Sequence, residues 1–167
     1  ARFEQILLLP VLGLNTAIIS IIGQNFGAKN FLRVQDSYFT AVKYGFFLMI
    51  ISGLIIFLSA DKIVGIFSDN PVVIDYGTSY LKISALIFPA YPIFFISNGF
   101  FMAIKKSKNS MYLNVIRNVI LPIPTIMAAN KIDGSFETFF WCYCFANWAY
   151  VLCLFVYVRS YIKKKIL

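Results

Sequence analysis

The apolar positions of this chain fall into long blocks separated by short polar stretches. Bilayer hydrocarbon is about 30 Å thick, so a spanning helix needs about 20 mostly apolar residues. Five blocks meet that length: 5–27, 37–60, 77–104, 109–130 and 137–160. They predict an all-α fold, a polytopic transmembrane helix bundle. In the first block Gly13, Thr16, Ala17, Ser20, Gly23, Gln24 and Gly27 recur at spacings of three and four, which places them on one helical face. Gly23 and Gly27 form a G-x-x-x-G pair, and with Gly13 they are expected to let a neighbouring helix approach closely. The polar members of the same stripe also suit the wall of a water-filled cavity.

The second block is aliphatic and aromatic, with Ser52 as its polar interior residue, and reads as lipid-facing or structural. The connection after it, 61–76, contains an apolar segment at 63–67 expected to lie at the membrane interface. Asp69, Asn70 and Pro71 then give a helix cap followed by proline at a first helical position. Tyr76 and Tyr80 suit an aromatic belt at the outer boundary. Prolines mark the next two blocks: Pro89 and Pro92 in the third, Pro122 and Pro124 in the fourth. Proline removes a helical hydrogen bond and bends the chain, so both spans are expected to be kinked or partly discontinuous. Interrupted spans are where transporters place substrate and ion sites, although tolerated kinks account equally well for these four residues.

Composition supports the membrane reading. The chain is 60% hydrophobic and 13% charged, whereas a soluble domain carries roughly 25% charged residues. The net charge of +8 invites a nucleic-acid partner, but the placement of the cations argues against one. Lys29, Arg33 and Lys43 follow the first block, Lys105, Lys106 and Lys108 the third, and Arg159, Lys163, Lys164 and Lys165 the last. Acids occupy the other connections: Asp61, Asp69 and Asp75, then Asp133 and Glu137. This alternation is the positive-inside pattern, with the lipid bilayer as partner, the N-terminus outside and the C-terminus in the cytoplasm. An external start at Ala1, with no signal-peptide pattern before the first block, predicts at least one upstream span, so the chain is read as a fragment.

One cation lies well inside a span. Arg117 is eight residues from the edge of the fourth block near Asn109, about 12 Å along a helix. A charge there costs several kcal/mol unless it meets protein, water or a headgroup. Two readings stay open: a structural arginine snorkelling toward the cytoplasmic headgroups or capping helix carbonyls, or one facing a hydrated cleft. Asn114 and Asn118 flank it at helical spacing; Asn98, Asn147 and Trp148 are further polar or amphipathic positions within spans. Cys142, Cys144 and Cys153 all fall in the last block and read as small buried hydrophobes, with no metal site expected. The chain has no histidine, no pair of acids in a common span and no glycine-rich loop ending in G-K-S/T. Neither enzymatic activity nor a bound cofactor is expected.

Residues 2–30, RFEQILLLPVLGLNTAIISIIGQNFGAKN, resemble the multidrug and toxic compound extrusion (MATE) family. In that family a helix with proline and small residues runs into a G-Q-x-x-G-A loop followed by an arginine, here Pro10, Gly13, Gly23, Gln24, Gly27, Ala28, Asn30 and Arg33. The run from Phe67 to Ile74 is similar to the family's segment after the next span, and Tyr80, Leu81, Gly99, Arg117 and Pro124 fall at familiar places. The resemblance implies a protein of twelve spans in two six-helix lobes, of which this chain supplies the last five, the N-terminal lobe being absent. It further implies a secondary antiporter of a bacterial inner membrane, exporting small amphipathic, often cationic compounds in exchange for Na⁺ or H⁺. The cleft residues so suggested are Gln24, Tyr91, Asn98, Asn114 and Arg117. Some members carry an acid within the third span present here; this chain has Tyr91 near that position, so a coupling carboxylate is expected from the missing lobe. Two other readings remain: a flippase for lipid-linked sugars or polyisoprenyl intermediates, whose clefts usually carry several basic residues, and a non-transporting membrane subunit or gene remnant.

Overall fold

The structure is a computed structural model that describes residues 2–67 and 69–166. Seven α-helices and no strand occur among them. They are α1 (Arg2–Gly27), α2 (Phe31–Gly65), α3 (Pro71–Ile87), α4 (Ala90–Ala103), α5 (Ser107–Val115), α6 (Pro122–Ile132) and α7 (Phe136–Lys165), with a π-helical turn at Ile116–Ile120 joining α5 to α6. The five expected spans correspond to α1, α2, the bent pair α3–α4, the continuous run Ser107–Ile132, and α7. Ser68, within the motif that starts at Phe67, lies outside the described residues.

Two boundaries depart from the expectation. Arg33 and Lys43 stand on α2 rather than in a loop, because α2 begins at Phe31 directly after a tight turn. The segment 63–67 is not a separate interfacial element; α2 runs on to Gly65 and closes in a turn at Ile66 and Phe67. The sequence contains no proline between Pro10 and Pro71 to stop the helix earlier.

Local chemistry accounts for the helix ends. Lys29, Lys105 and Gly134 take left-handed φ of 58°, 60° and 64°, closing α1, α4 and α6. In each case a backbone N–H reaches five residues back: Asn30 to Asn25 at 2.9 Å, Lys106 to Phe101 at 2.8 Å, and Gly134 to Ala129 at 2.9 Å. Asn70 Oδ1 accepts from the Val72 N–H at 3.0 Å and Pro71 takes the first turn of α3, as its sequence suggests. Ser135 Oγ accepts from the Thr138 N–H at 3.2 Å to start α7. Beside it, hydrogen bonds from the Ser135 N–H and the Thr138 hydroxyl hold the exposed Asp133 carboxyl below the usual carboxylate range.

Both proline pairs shape their spans, by different means. At Phe88–Pro89 the chain breaks and α4 leaves α3 at 48°. Pro89 has no N–H for the Ala85 carbonyl; the Phe88 N–H takes it at 3.3 Å, while Trp148 Nε1 of α7 donates to Leu86 O at 3.0 Å. Pro92 sits inside the first turn of α4 and makes no second break. In the other span the helix is continuous. Pro122 would press against the Asn118 carbonyl, and the turn before it widens so that the Leu121 N–H bonds Ile116 O at 2.8 Å. Thr125 Oγ1 donates to Pro122 O at 2.7 Å.

The centre of the bundle is α4, whose Ala90, Ile96, Ser97, Phe100 and Phe101 are fully buried. It packs against α1, α2, α5 and α7. Tyr38 and Ser97 satisfy each other in this core at 2.8 Å. Most of the basic residues gather at one end. Phe101 meets Tyr157 and Tyr161 near Lys105, Lys106 and Lys163, whereas Tyr76–Phe136 and Lys82–Asp61 pair at the opposite end. Phe47, Leu48, Ile51, Leu54, Ile55 and Leu58 of α2 point outward as an exposed apolar face, the surface a bilayer would cover.

Close helix approach happens at glycines other than those singled out by spacing. A Cβ at Gly53 would stand 2.7 Å from Ala85 O, and one at Gly45 would stand 2.9 Å from Pro92 Cβ. These two glycines of α2 therefore seat the proline-broken span. Gly99 likewise lets α4 pass Asn15 and Ile19 of α1. Gly23 faces Ala103 O at an ordinary 3.8 Å, and nothing lies within 4 Å of a Cβ at Gly13 or Gly27, so that stripe of α1 is open in this chain.

Candidate functional site

The widened turn determines where Arg117 points. A π-turn rotates the residues it carries relative to an α-helical continuation, and Arg117 is directed inward, with 5% of its surface exposed. Its guanidinium carbon lies 4.1 Å from the Phe94 ring centre, 4.8 Å from Tyr91 and 6.0 Å from Phe95. All three rings come from the first two turns of α4, which the break at Pro89 angles toward α5. The Tyr143 and Tyr150 hydroxyls of α7 stand close by. Tyr150 donates to Leu113 O at 2.9 Å, anchoring α7 to the turn before the π-helix.

Within this chain the side chain is covered by aromatic rings of α4. Energy supports the arrangement: an intramembrane arginine costs about 2.5–3.5 kcal/mol on insertion scales, and each desolvated ring face returns up to about 2 kcal/mol. Two rings inside 5 Å thus suffice to hold the guanidinium. Among the described residues no acid forms an ion pair with it.

Asn147 adds a second polar feature. It lies on α7 between Tyr143 and Tyr150 at spacings of four and three, hence on the same helical face. Its side chain is fully buried, and neither its Oδ1 nor its Nδ2 has a hydrogen-bond partner. An orphaned buried amide costs about 1–3 kcal/mol.

Of the cleft residues suggested by resemblance, Tyr91 and Arg117 come together. Asn98 and Asn114 form a separate link: Ser110 Oγ donates to Asn98 Oδ1, and Asn114 Nδ2 donates to Ser110 O at 2.9 Å, tying α4 to α5. Gln24 is apart from both. It is exposed, donates to Ser20 Oγ at 3.5 Å, and neighbours Gly23, which faces the far end of α4 at Ala103. Phe94, Phe95, Tyr143 and Tyr150 were not singled out by sequence, although their positions one turn from Pro89 and around Asn147 were available as a signal. Among the described residues no cluster of metal-ligating side chains occurs.

The fold is thus a proline-broken helical bundle with a cation buried at its interior bend. Residues 1–127 match the family model described as MatE. The chain belongs to that family. It is 23% identical over 133 residues to a protein named FAD transporter from Shewanella oneidensis, an alignment covering 80% of this chain and 29% of the relative. It is 28% identical over 123 residues to a probable multidrug resistance protein, YpnP, from Bacillus subtilis, covering 74% and 28%. An outward-facing structure of a multidrug resistance MATE family transporter of the MOP superfamily superposes with TM-score 0.91 at 19% identity, over 97% of this chain and 37% of that one. An inward-facing structure of the same description gives 0.88 at 19%, over 97% and 38%. The chain thus spans less than a third of the length of these curated relatives.

Proposed function

We propose that the chain forms five spans of the second lobe of a secondary antiporter that exports amphipathic, often cationic compounds in exchange for Na⁺ or H⁺. The observation that carries this reading is the family match over residues 1–127. The near-equal likeness to outward- and inward-facing transporters supports it, since a lobe that keeps its fold in both states suits rocking of one lobe against another. In this reading the rest of the cleft belongs to an N-terminal lobe, the basic end faces the cytoplasm of a bacterial inner membrane, and the start of the chain lies outside. The seven acids of the chain stand at helix ends or in connections. The coupling carboxylate is accordingly assigned to the other lobe, with Arg117 and its rings as the interior cation of this one.

That lone interior cation favours a second reading of the cargo: an aromatic compound with an anionic group, in keeping with the relative named FAD transporter. One experiment separates the two. Everted vesicles holding the protein as expressed from its own gene are assayed for transport of a cationic dye and of a flavin nucleotide, with wild type, Arg117→Ala and Arg117→Lys at equal membrane abundance. Either reading expects Arg117→Ala to slow transport about tenfold, the equivalent of about 1.4 kcal/mol. Arg117→Lys should recover only part, because ammonium lacks the planar stacking of guanidinium. Dye transport supports the first reading and flavin transport the second. Wild-type rates from Arg117→Ala contradict a role for Arg117 in both.

A further inference from the structure

We infer that the seam between α2 and α7 is a binding site for a phospholipid with an anionic headgroup, in the leaflet at the basic end of the bundle. The two helices diverge there and leave three cavities in line. The first, about 360 Å³, is walled by Gln35 and Phe39 of α2 and by Phe155, Arg159 and Lys163 of α7. The second, about 430 Å³, shares Phe39 and Phe155 with it and continues along Phe46, Trp148 and Leu152. Those last three residues also border the third, about 860 Å³, toward the other face of the membrane. The result is one continuous groove, polar at its mouth and, apart from the exposed Lys43 on the wall of the second cavity, apolar beyond.

Helical spacing explains how the groove is built. Lys163, Arg159, Phe155, Leu152 and Trp148 succeed one another at steps of three or four and form one stripe of α7. Gln35, Phe39 and Phe46 form the facing stripe of α2. From Gln35 to Phe46 the groove runs eleven residues, about 16 Å along a helix. That is half the hydrocarbon thickness of about 30 Å, the reach of one acyl chain in one leaflet.

Charge decides what occupies the mouth. Neither Arg159 nor Lys163 makes an ion pair among the described residues. Lys29, Arg33, Lys105, Lys106, Lys108 and Lys164 crowd the same end, where Asp36 is the acid nearest the mouth. Arg159 and Lys163 above an aromatic-lined slot, with Lys43 on its wall, match a phosphate-bearing headgroup with its chain below. A zwitterionic lipid satisfies the slot but not the net charge. A helix from elsewhere in the protein would fill the slot and leave both cations unmatched.

Native mass spectrometry of the protein as expressed from its own gene, purified in mild detergent and titrated with phosphatidylglycerol or phosphatidylcholine, tests the site. Wild type should retain phosphatidylglycerol in preference. Arg159→Gln with Lys163→Gln should erase that preference, roughly fivefold in affinity per charge removed. Lys105→Gln with Lys108→Gln, at the same end but off the seam, should leave it intact, and soluble glycerol phosphate should not compete. Leu152→Trp should weaken retention of both lipids by blocking the slot. Equal retention of the two lipids by wild type, equal loss in the off-seam control, or full competition by glycerol phosphate would overturn the proposal. So would absence of any bound lipid, the outcome if another helix fills the groove.

Discussion

A single atom position separates the glycines that matter from those that only look as if they should. A Cβ at Gly53 would lie 2.7 Å from the backbone oxygen of Ala85, which accepts from the Phe88 N–H at the break before Pro89. Backbone cannot step aside as a flexible side chain can, so Gly53→Ala should cost about 1–3 kcal/mol. At Gly13 the same Cβ meets nothing within 4 Å, and Gly13→Ala should be neutral or slightly stabilising for the helix. Thermal melts of the two variants in detergent check the contrast: a clear drop for Gly53→Ala beside an unchanged Gly13→Ala. Spacing alone singled out the first-span stripe because its small residues are dense. Gly45 and Gly53 stand among large apolar neighbours in the second span and gave no such stripe. Their importance follows from what they touch in the proline-broken span, Pro92 for Gly45 and the Ala85 backbone for Gly53. The same reason hid the partners of Arg117. Its depth was legible from its distance into the block, but the chain has 18 phenylalanines and 10 tyrosines, and spacing within the fourth block does not select which rings of α4 it meets.

At the scale of elements, prolines gave the most readable signal and the least readable outcome. Both pairs predicted a distorted span, and both spans are distorted; the kind of distortion depends on neighbours. Trp148 reaches the carbonyl freed near Pro89 and a full break is tolerated. Upstream of Pro122 the helix keeps its own bonds by widening one turn, and Thr125 covers the Pro122 carbonyl. Since the π-turn aims Arg117, Pro122→Ala should let α-helical bonding propagate and rotate the guanidinium away from Phe94. Such a variant should be as abundant and as heat-resistant as wild type, or more so, since the substitution removes a helix breaker. Yet its transport should fall toward that of Arg117→Ala. Normal transport from Pro122→Ala would mean that the widened turn serves packing alone. The connection lengths were less legible than the spans, because the short turn after α1 closes on Lys29 in a left-handed conformation that the sequence pattern does not mark with glycine.

Among the described residues the molecule is one helical bundle organised around α4, with most of its basic residues gathered at one end and a cation held inside by aromatic rings. That much follows from the chain's own packing. The proposed transport goes beyond that packing, since in that reading alternating access needs a second lobe. The most direct measurement is dye accumulation in cells stripped of their own exporters and expressing the protein from its own gene. The account predicts lowered accumulation that is restored when the Na⁺ and H⁺ gradients are collapsed. Accumulation equal to that of cells without the gene, at confirmed membrane abundance and for both cationic and flavin-type compounds, would contradict it.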